Sequence, residues 1–122
     1  MKSNDTGIKR ILKAFRYSYD GFTATFKSEA AFRQDILFCL VMGLSLFWLP
    51  VRGVALAFLI FSLFLILLME LVNTGIEAVV DRIGAEYHPL SKKAKDIGSL
   101  LGLLAFIHWG ITWGIIVLPV LF

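Results

Sequence analysis

The chain has 122 residues, of which 58% are hydrophobic and 17% are charged. This balance is too apolar for a water-soluble domain of this length and is typical of a membrane protein. The net charge is only +3, and the single cysteine, Cys39, excludes an intrachain disulfide scaffold.

The first predicted element is an amphipathic segment at about residues 8–33. Apolar side chains recur there at helical spacing, and basic side chains occupy the other face. This pattern favours helices that lie in the interface of an anionic membrane leaflet. Because glycine tolerates the backbone geometry that ends helices, Asp20 and Gly21 predict a break between two helices in this segment.

Three apolar stretches predict three membrane-spanning helices, at about residues 30–49, 53–82 and 92–119. The uncharged part of the first stretch, residues 36–49, is short for a span, so we expect its helix to begin near Ala30. A turn at residues 50–53 separates the first two spans, and Gly84 ends the second. The sequence therefore predicts an all-α membrane protein, with one domain over residues 1–122 and an N-terminal interfacial helix.

The basic residues indicate the orientation in the membrane. Eleven of the twelve Lys and Arg residues lie either up to and including Arg33 or between Arg82 and Lys95, inclusive, and only Arg52 falls outside these two stretches. Since positive charge is retained on the cytoplasmic side, we expect a cytoplasmic N-terminus and an external C-terminus. No internal repeat is evident, so an inverted-repeat transporter finds no support.

The second predicted span carries a polar stripe. At about 100° per residue, its carboxylates Glu70, Glu77 and Asp81 fall within about 40° of one another, with Asn73 and Thr74 beside them. An ionised carboxylate near the hydrocarbon costs about 2.5 to 3.5 kcal/mol by insertion scales. These carboxylates therefore require partners or a function.

The residue types in and around this stripe match the needs of metal-assisted phosphoryl transfer. Two carboxylates on one face of a helix, with Glu29 as a third acidic candidate, offer the hard oxygen ligands that Mg²⁺ prefers. A separate carboxylate can orient or deprotonate an alcohol, and a Lys such as Lys95 can neutralise phosphate charge. Neither a Walker pattern nor a glycine-rich kinase loop is present, so nucleotide binding would be of another kind.

Simpler interpretations stay open for several of these residues. Glu29 and Arg33 stand one turn apart and can form a solvated ion pair. Asp81 and Arg82 can pair at the membrane interface, and His108 can bond across helices. A glutamate in the membrane is also typical of a proton-coupled transporter, although the acidic residues here lie in or near the cytoplasmic half. A pore-forming or scaffold protein would leave the stripe unexplained.

Three runs of the sequence resemble the prokaryotic diacylglycerol kinase family. They are Glu29-Ala-Ala-Phe-Arg-Gln-Asp35, Glu70-Leu-Val-Asn-Thr-Gly-Ile-Glu-Ala-Val-Val-Asp-Arg82 and His88-Pro-Leu-Ser-Lys-Lys-Ala-Lys-Asp96. The resemblance covers nearly the whole chain. It implies ATP-dependent phosphorylation of diacylglycerol to phosphatidic acid at the cytoplasmic face of the bacterial inner membrane.

The resemblance also implies roles for individual residues. Glu70 would be the catalytic base, Glu29 and Glu77 would bind Mg²⁺ together with ATP, and Asn73 would support the site. The positions that match ATP contacts are Arg10, Tyr17, Glu29, Glu77, Glu86, Tyr87, His88, Lys95 and Asp96. The positions assigned to the lipid substrate are Glu70, Asn73, Ser99, Ala31, Arg33, Asp35, Trp48 and Trp113. Trp48 is also a candidate interface anchor, and Trp113 can instead be a packing residue.

The family is homotrimeric with sites between subunits, so the resemblance implies a homotrimer. Two departures affect the acceptor. Asp35 stands where the enterobacterial type has Glu, and His88-Pro-Leu is similar to Gram-positive relatives that resemble undecaprenol kinases. Undecaprenol therefore remains an alternative acceptor, while Glu29-Ala-Ala-Phe and the Thr112-Trp113 neighbourhood favour diacylglycerol.

Overall fold

The computed structural model describes residues 5–122, and this part of the chain folds into helices and turns without a β-strand. The four helices are α1 (Gly7–Ser28), α2 (Ala30–Ser45), α3 (Gly53–Ile83) and α4 (Pro89–Leu121). The predicted all-α class is confirmed.

Helices α3 and α4 are each long and apolar enough to cross a membrane. They have 31 and 33 residues, and their most apolar windows have a mean hydropathy of 2.7 and 2.0. Helix α2 has only 16 residues, fewer than the roughly 20 that a span requires. The last residues of the first predicted stretch form a turn, in which the Trp48 N–H donates to the Ser45 carbonyl at 3.1 Å.

Helix α1 corrects the predicted break at Asp20 and Gly21. The helix runs through both residues without interruption, and the chain bends instead at Glu29, whose backbone is extended with φ −115° and ψ 106°. The φ angle of Gly21 is not positive. One glycine inside a helix costs only about 1 kcal/mol, so it does not by itself end the helix. No residue of α1 is buried, so its apolar face is free to contact a surface.

Arg33 joins α1 to α2 in a way that the sequence did not predict. Its Nη1 donates to the carbonyl oxygens of Phe26 and Lys27, at 2.6 and 3.1 Å. These carbonyls belong to the last turn of α1, where the helix has no backbone donors left to offer them. Among residues 5–122, no ion pair joins Arg33 to Glu29. Arg33 therefore acts as a cap of α1.

The core lies where α3 and α4 pack against each other and against the turn after α2. Its buried apolar residues are Val51, Leu59, Leu63 and Trp113. The Trp113 indole N–H donates to the Ser62 hydroxyl at 2.9 Å, and Ser62 in turn donates to the Leu59 carbonyl at 2.6 Å. Ser62 is fully buried and its hydroxyl both donates and accepts a hydrogen bond, so the side-chain contact between α3 and α4 is satisfied at this point.

Candidate active site

The polar stripe lies on one uninterrupted helix. Helix α3 extends past its apolar segment to Ile83 and ends with an extended Gly84, as the sequence predicted. Glu70, Asn73 and Glu77 are partly buried, whereas Asp81 is exposed. The side chains of the stripe are thus partly buried near the middle of α3 and exposed at its C-terminal end.

Carboxylates from two parts of the chain lie within electrostatic range of Glu70. Asp35, Glu77 and Glu29 all lie close enough to act electrostatically on the Glu70 carboxylate. The bend at Glu29 starts α2 next to α3, which brings Glu29 and Asp35 to the stripe. We call these four residues the carboxylate cluster. None of the ion pairs found among residues 5–122 includes a member of the cluster, so no cation of the described protein directly neutralises its charge.

The donor set of the cluster fits a magnesium ion that arrives with a nucleotide. The described residues contain no group of three or more His, Cys, Asp or Glu side chains placed to hold a metal by themselves. Mg²⁺ is usually bound by one or two carboxylates and completed by waters and substrate phosphates. Glu29 and Glu77 can supply such a pair of oxygen ligands, and the excess negative charge of the cluster favours a cation.

A polar cavity of about 420 Å³ lies between the end of α3 and the start of α4. Its walls include all five ATP-contact positions that were predicted in this part of the sequence, together with Asp81. These five are Glu86, Tyr87, His88, Lys95 and Asp96. Residues that are separated along the chain by a loop and two helical turns therefore share one cavity.

The cavity loop is fixed by the start of α4. His88 is the N-cap, its Nδ1 accepts a hydrogen bond from the Leu90 N–H at 3.0 Å, and Pro89 is the first helical residue. Proline suits this position because its fixed φ is helical and it lacks the N–H that would be unpaired there. The cap determines where the His88 ring lies at the cavity.

Two ion pairs cross or border the cavity. Lys95 Nζ lies 2.7 Å from Asp81 Oδ1, and Lys92 Nζ lies 2.6 Å from Asp96 Oδ2. The first pair joins α4 to α3, and the second lies within the first turns of α4. Asp81 thus pairs with Lys95, and the suggested pair with Arg82 does not occur among the described residues.

Gly98 is a site residue that the sequence analysis missed. It is buried, and a side-chain Cβ at this position would overlap the Asn73 carboxamide oxygen and come within 3.1 Å of Asn73 Cγ. The Asn73 Oδ1 is itself buried without a hydrogen-bond partner among the described residues. Gly98 and Gly102 have the GxxxG spacing that lets membrane helices pack closely, and this spacing could have identified Gly98.

An apolar groove was also missed. It has a volume of about 510 Å³, lies between α2 and α3, and runs from Phe47 to Ile36 and Leu67. Ile36 is next to Asp35, and Leu67 is one turn from Glu70. One end of the groove is therefore formed by residues that lie close along the chain to two members of the carboxylate cluster.

The remaining predicted site residues are dispersed in this chain. Arg10 and Tyr17 are exposed on α1 and do not line the polar cavity. Ala31 and Ser99 are exposed on α2 and α4. Trp48 is exposed in the turn after α2, and Trp113 is about 27 Å along α4 from Lys95 at about 1.5 Å per residue. Trp113 has the surroundings of a core residue.

Comparisons with known proteins agree with this geometry. The profile of the prokaryotic diacylglycerol kinase family matches residues 16–117. The chain is 47% identical over 116 residues to the diacylglycerol kinase of Escherichia coli K12, covering 95% of each chain. It is 47% identical over 113 residues to that of Pseudomonas aeruginosa PAO1, covering 93% of this chain and 92% of the relative, and 41% identical over 111 residues to that of Helicobacter pylori J99, covering 88% and 84%. The chain belongs to the prokaryotic diacylglycerol kinase family.

Proposed function

We propose that this protein transfers the γ-phosphate of ATP to the free hydroxyl of diacylglycerol, giving phosphatidic acid and ADP. Family membership and the relatives named diacylglycerol kinase support the reaction. The observation that carries the proposal is the position of the carboxylate cluster. An apolar groove suited to an acyl chain meets it on one side, and Glu77 also acts on the charge of Lys95 in the polar cavity on the other.

Glu70 is the general base in this proposal. Its partly buried carboxylate accepts the proton of the lipid hydroxyl, and the hydroxyl oxygen forms a bond to the γ-phosphorus. The bond from that phosphorus to the bridging oxygen breaks, and ADP leaves with the electron pair. Glu70 suits this role because it is the first carboxylate after the apolar segment of α3, at the depth where a lipid hydroxyl is expected.

Glu29 and Glu77 hold Mg²⁺ with the nucleotide, and Asn73 supports their site. Mg²⁺ bound there supplies charge neutralisation at the phosphate oxygens. Lys95 adds a second positive charge, and the cavity formed by Glu86, Tyr87, His88, Lys95 and Asp96 holds the nucleotide. Arg10 and Tyr17 reach the nucleotide from α1. This division puts metal and phosphates at the polar end of α3 and the lipid hydroxyl one to two turns deeper.

The membrane arrangement belongs to the same proposal. Helices α3 and α4, and α2 together with the turn that follows it, span the bacterial inner membrane three times, and α1 lies on the anionic cytoplasmic leaflet. The N-terminus and the loop before α4 face the cytoplasm, where ATP is present, and the C-terminus faces outward. The chain assembles as a homotrimer, since Arg10, Tyr17 and the groove require a further wall to enclose both substrates. The many exposed apolar side chains of α2, α3 and α4 are consistent with lipid and subunit contacts.

Undecaprenol is the second candidate acceptor. Asp35 and the His88-Pro89-Leu90 run carry the features that favour it, and Asp35 lies beside Glu70, where the acceptor hydroxyl would be placed. Diacylglycerol is preferred because the relatives compared above carry that name.

The test is a transfer assay with both alcohols. Purified protein in mixed micelles with Mg²⁺ and γ-labelled ATP should convert diacylglycerol to labelled phosphatidic acid, faster than it labels undecaprenol. A folded, assembled protein that labels neither alcohol would contradict the kinase function. Faster labelling of undecaprenol would leave the kinase function intact and reverse the order of acceptors.

A further inference from the structure

The ion pair between Lys95 and Asp81 spans the mouth of the polar cavity from α4 to α3. Lys95 Nζ and Asp81 Oδ1 are 2.7 Å apart, and their side chains are 44% and 66% exposed. Glu77 lies one turn before Asp81 on the same helix and also acts electrostatically on the Lys95 ammonium. The cation is thus paired with Asp81 and attracted by a second carboxylate of α3, which is the proposed metal ligand.

This ion pair contributes little to the stability of the fold. Exposed ion pairs contribute little to stability, because water screens them and both side chains lose freedom. The four-carbon stem of lysine is flexible, and fixing such a side chain during binding costs conformational entropy. A partner that fixes Lys95 before the nucleotide arrives removes part of that cost.

We propose that Asp81 is a positioning residue for the nucleotide: it holds the Lys95 ammonium at the wall of the cavity, so that the triphosphate meets a cation already in place. The inference rests on the proposed function only in taking Mg²⁺-ATP as the ligand of the cavity.

The geometry leaves room for the phosphates on the same ammonium. A lysine ammonium has three donors, and the Asp81 bond uses one of them. The other two are available to phosphate oxygens in a cavity of about 420 Å³ that Asp81 and Lys95 both line. Asp81 therefore has no need to release Lys95 when the nucleotide binds.

The experiment compares Asp81→Asn with Asp81→Glu in the full-length, assembled protein. Asp81→Asn keeps the size of the side chain and removes the charge that holds Lys95, so KM for ATP should rise about three- to tenfold. Neither kcat nor KM for diacylglycerol should change by more than about twofold, since Asp81 touches neither the acceptor nor the metal. Asp81→Glu keeps the ion pair and should retain most of the affinity for ATP. Asp20→Asn, which removes one exposed carboxylate of α1 outside the site, is the matched control.

Direct binding of Mg²⁺-ATP, measured by calorimetry or by the rise in melting temperature, gives a readout that does not depend on transfer. The dissociation constant should rise by the same factor in Asp81→Asn and stay near the wild-type value in Asp81→Glu. An unchanged dissociation constant in folded Asp81→Asn would overturn the inference, because Asp81 would then have no effect on nucleotide binding. A lowered dissociation constant would also overturn it, because Asp81 would then compete with the phosphates for Lys95. If the wild-type protein bound Mg²⁺-ATP in this Asp81-dependent way yet phosphorylated no lipid, the proposed function would fail and the inference would stand.

Discussion

The two ends of the α3 and α4 helix pair differ in burial and in charge. At the Trp113 end, Ser62 and Trp113 satisfy each other's hydrogen bonds inside a buried apolar core. At the other end, Glu70 and Glu77 are only partly buried, no ion pair among the described residues includes a carboxylate of the cluster, and Asn73 Oδ1 has no hydrogen-bond partner there. The Trp113 end also keeps an unpaired buried group, the Trp109 indole N–H, but its side chains are neutral and packed, whereas the other end is acidic.

This difference indicates where substitutions should act. Unpaired charge and unpaired polar atoms are costly in a folded protein, so they persist where a ligand or a neighbouring subunit completes them. Changes at the carboxylate end should therefore alter catalysis or ligand binding more than stability. Changes at the Trp113 end should alter stability alone.

The largest effect is expected from Glu70→Gln. The amide keeps the shape of the side chain but cannot take the proton of the lipid hydroxyl, so kcat should fall by about 10² to 10⁴ in a micelle assay with diacylglycerol. Binding of Mg²⁺-ATP, measured by calorimetry, should change little because Glu70 is not a proposed ligand.

Glu77→Gln is the matched comparison, since it makes the same chemical change two turns along the same helix. It should weaken metal-dependent nucleotide binding together with turnover, because it removes a proposed ligand of Mg²⁺. If Glu70→Gln also abolished nucleotide binding, the separation between base and metal ligand would be wrong.

The sequence predicted relations within one helix better than contacts between helices. Helical spacing was enough to place Glu70, Asn73, Glu77 and Asp81 on one face, because that relation lies within a single helix. The short loop and the first turns of α4 brought their predicted residues into one cavity for the same reason, since few residues separate them.

Contacts between helices that are distant along the chain were not predicted from the sequence. The break at Gly21 was predicted from one residue's conformational freedom, but the helix continued and bent at Glu29 instead. The bond from Arg33 to the end of α1, the pair of Asp81 with Lys95 and the contact of Gly98 with Asn73 all join different helices. Such contacts depend on how helices pack, which the spacing within one helix does not specify.

An intermediate effect is expected from Gly98→Ala. The new methyl group would overlap the Asn73 carboxamide, and overpacking of this kind typically costs about 1 to 3 kcal/mol. Because Asn73 lies between Glu70 and Glu77 on the stripe, turnover with diacylglycerol should fall along with stability. Thermal unfolding in detergent and kcat measured on folded protein would report the two effects separately.

Gly102→Ala, one turn further along α4, is the control for Gly98→Ala. A Cβ there would meet no atom within 4 Å in the chain, so this variant should be neutral or more stable by up to about 1 kcal/mol. Equal losses from both variants would mean that α4 tolerates no added methyl group in this region, and would remove the special role of the Asn73 contact.

The smallest effect is expected from breaking the hydrogen bond between Ser62 and Trp113. Ser62→Ala leaves the buried indole N–H without its acceptor, and hydrogen bonds between membrane helices contribute about 0.6 kcal/mol on average, so stability should fall by an amount of that order. Trp113→Phe removes the donor instead, and the double variant should cost less than the sum of the two single ones, since each single change leaves a polar group of the same bond unpaired. Thermal unfolding of the three variants measures this coupling. The KM for diacylglycerol tests the difference between the two ends. It should be unchanged in Trp113→Phe if Trp113 acts only in the core. A raised KM in this variant would instead indicate that Trp113 contacts the lipid.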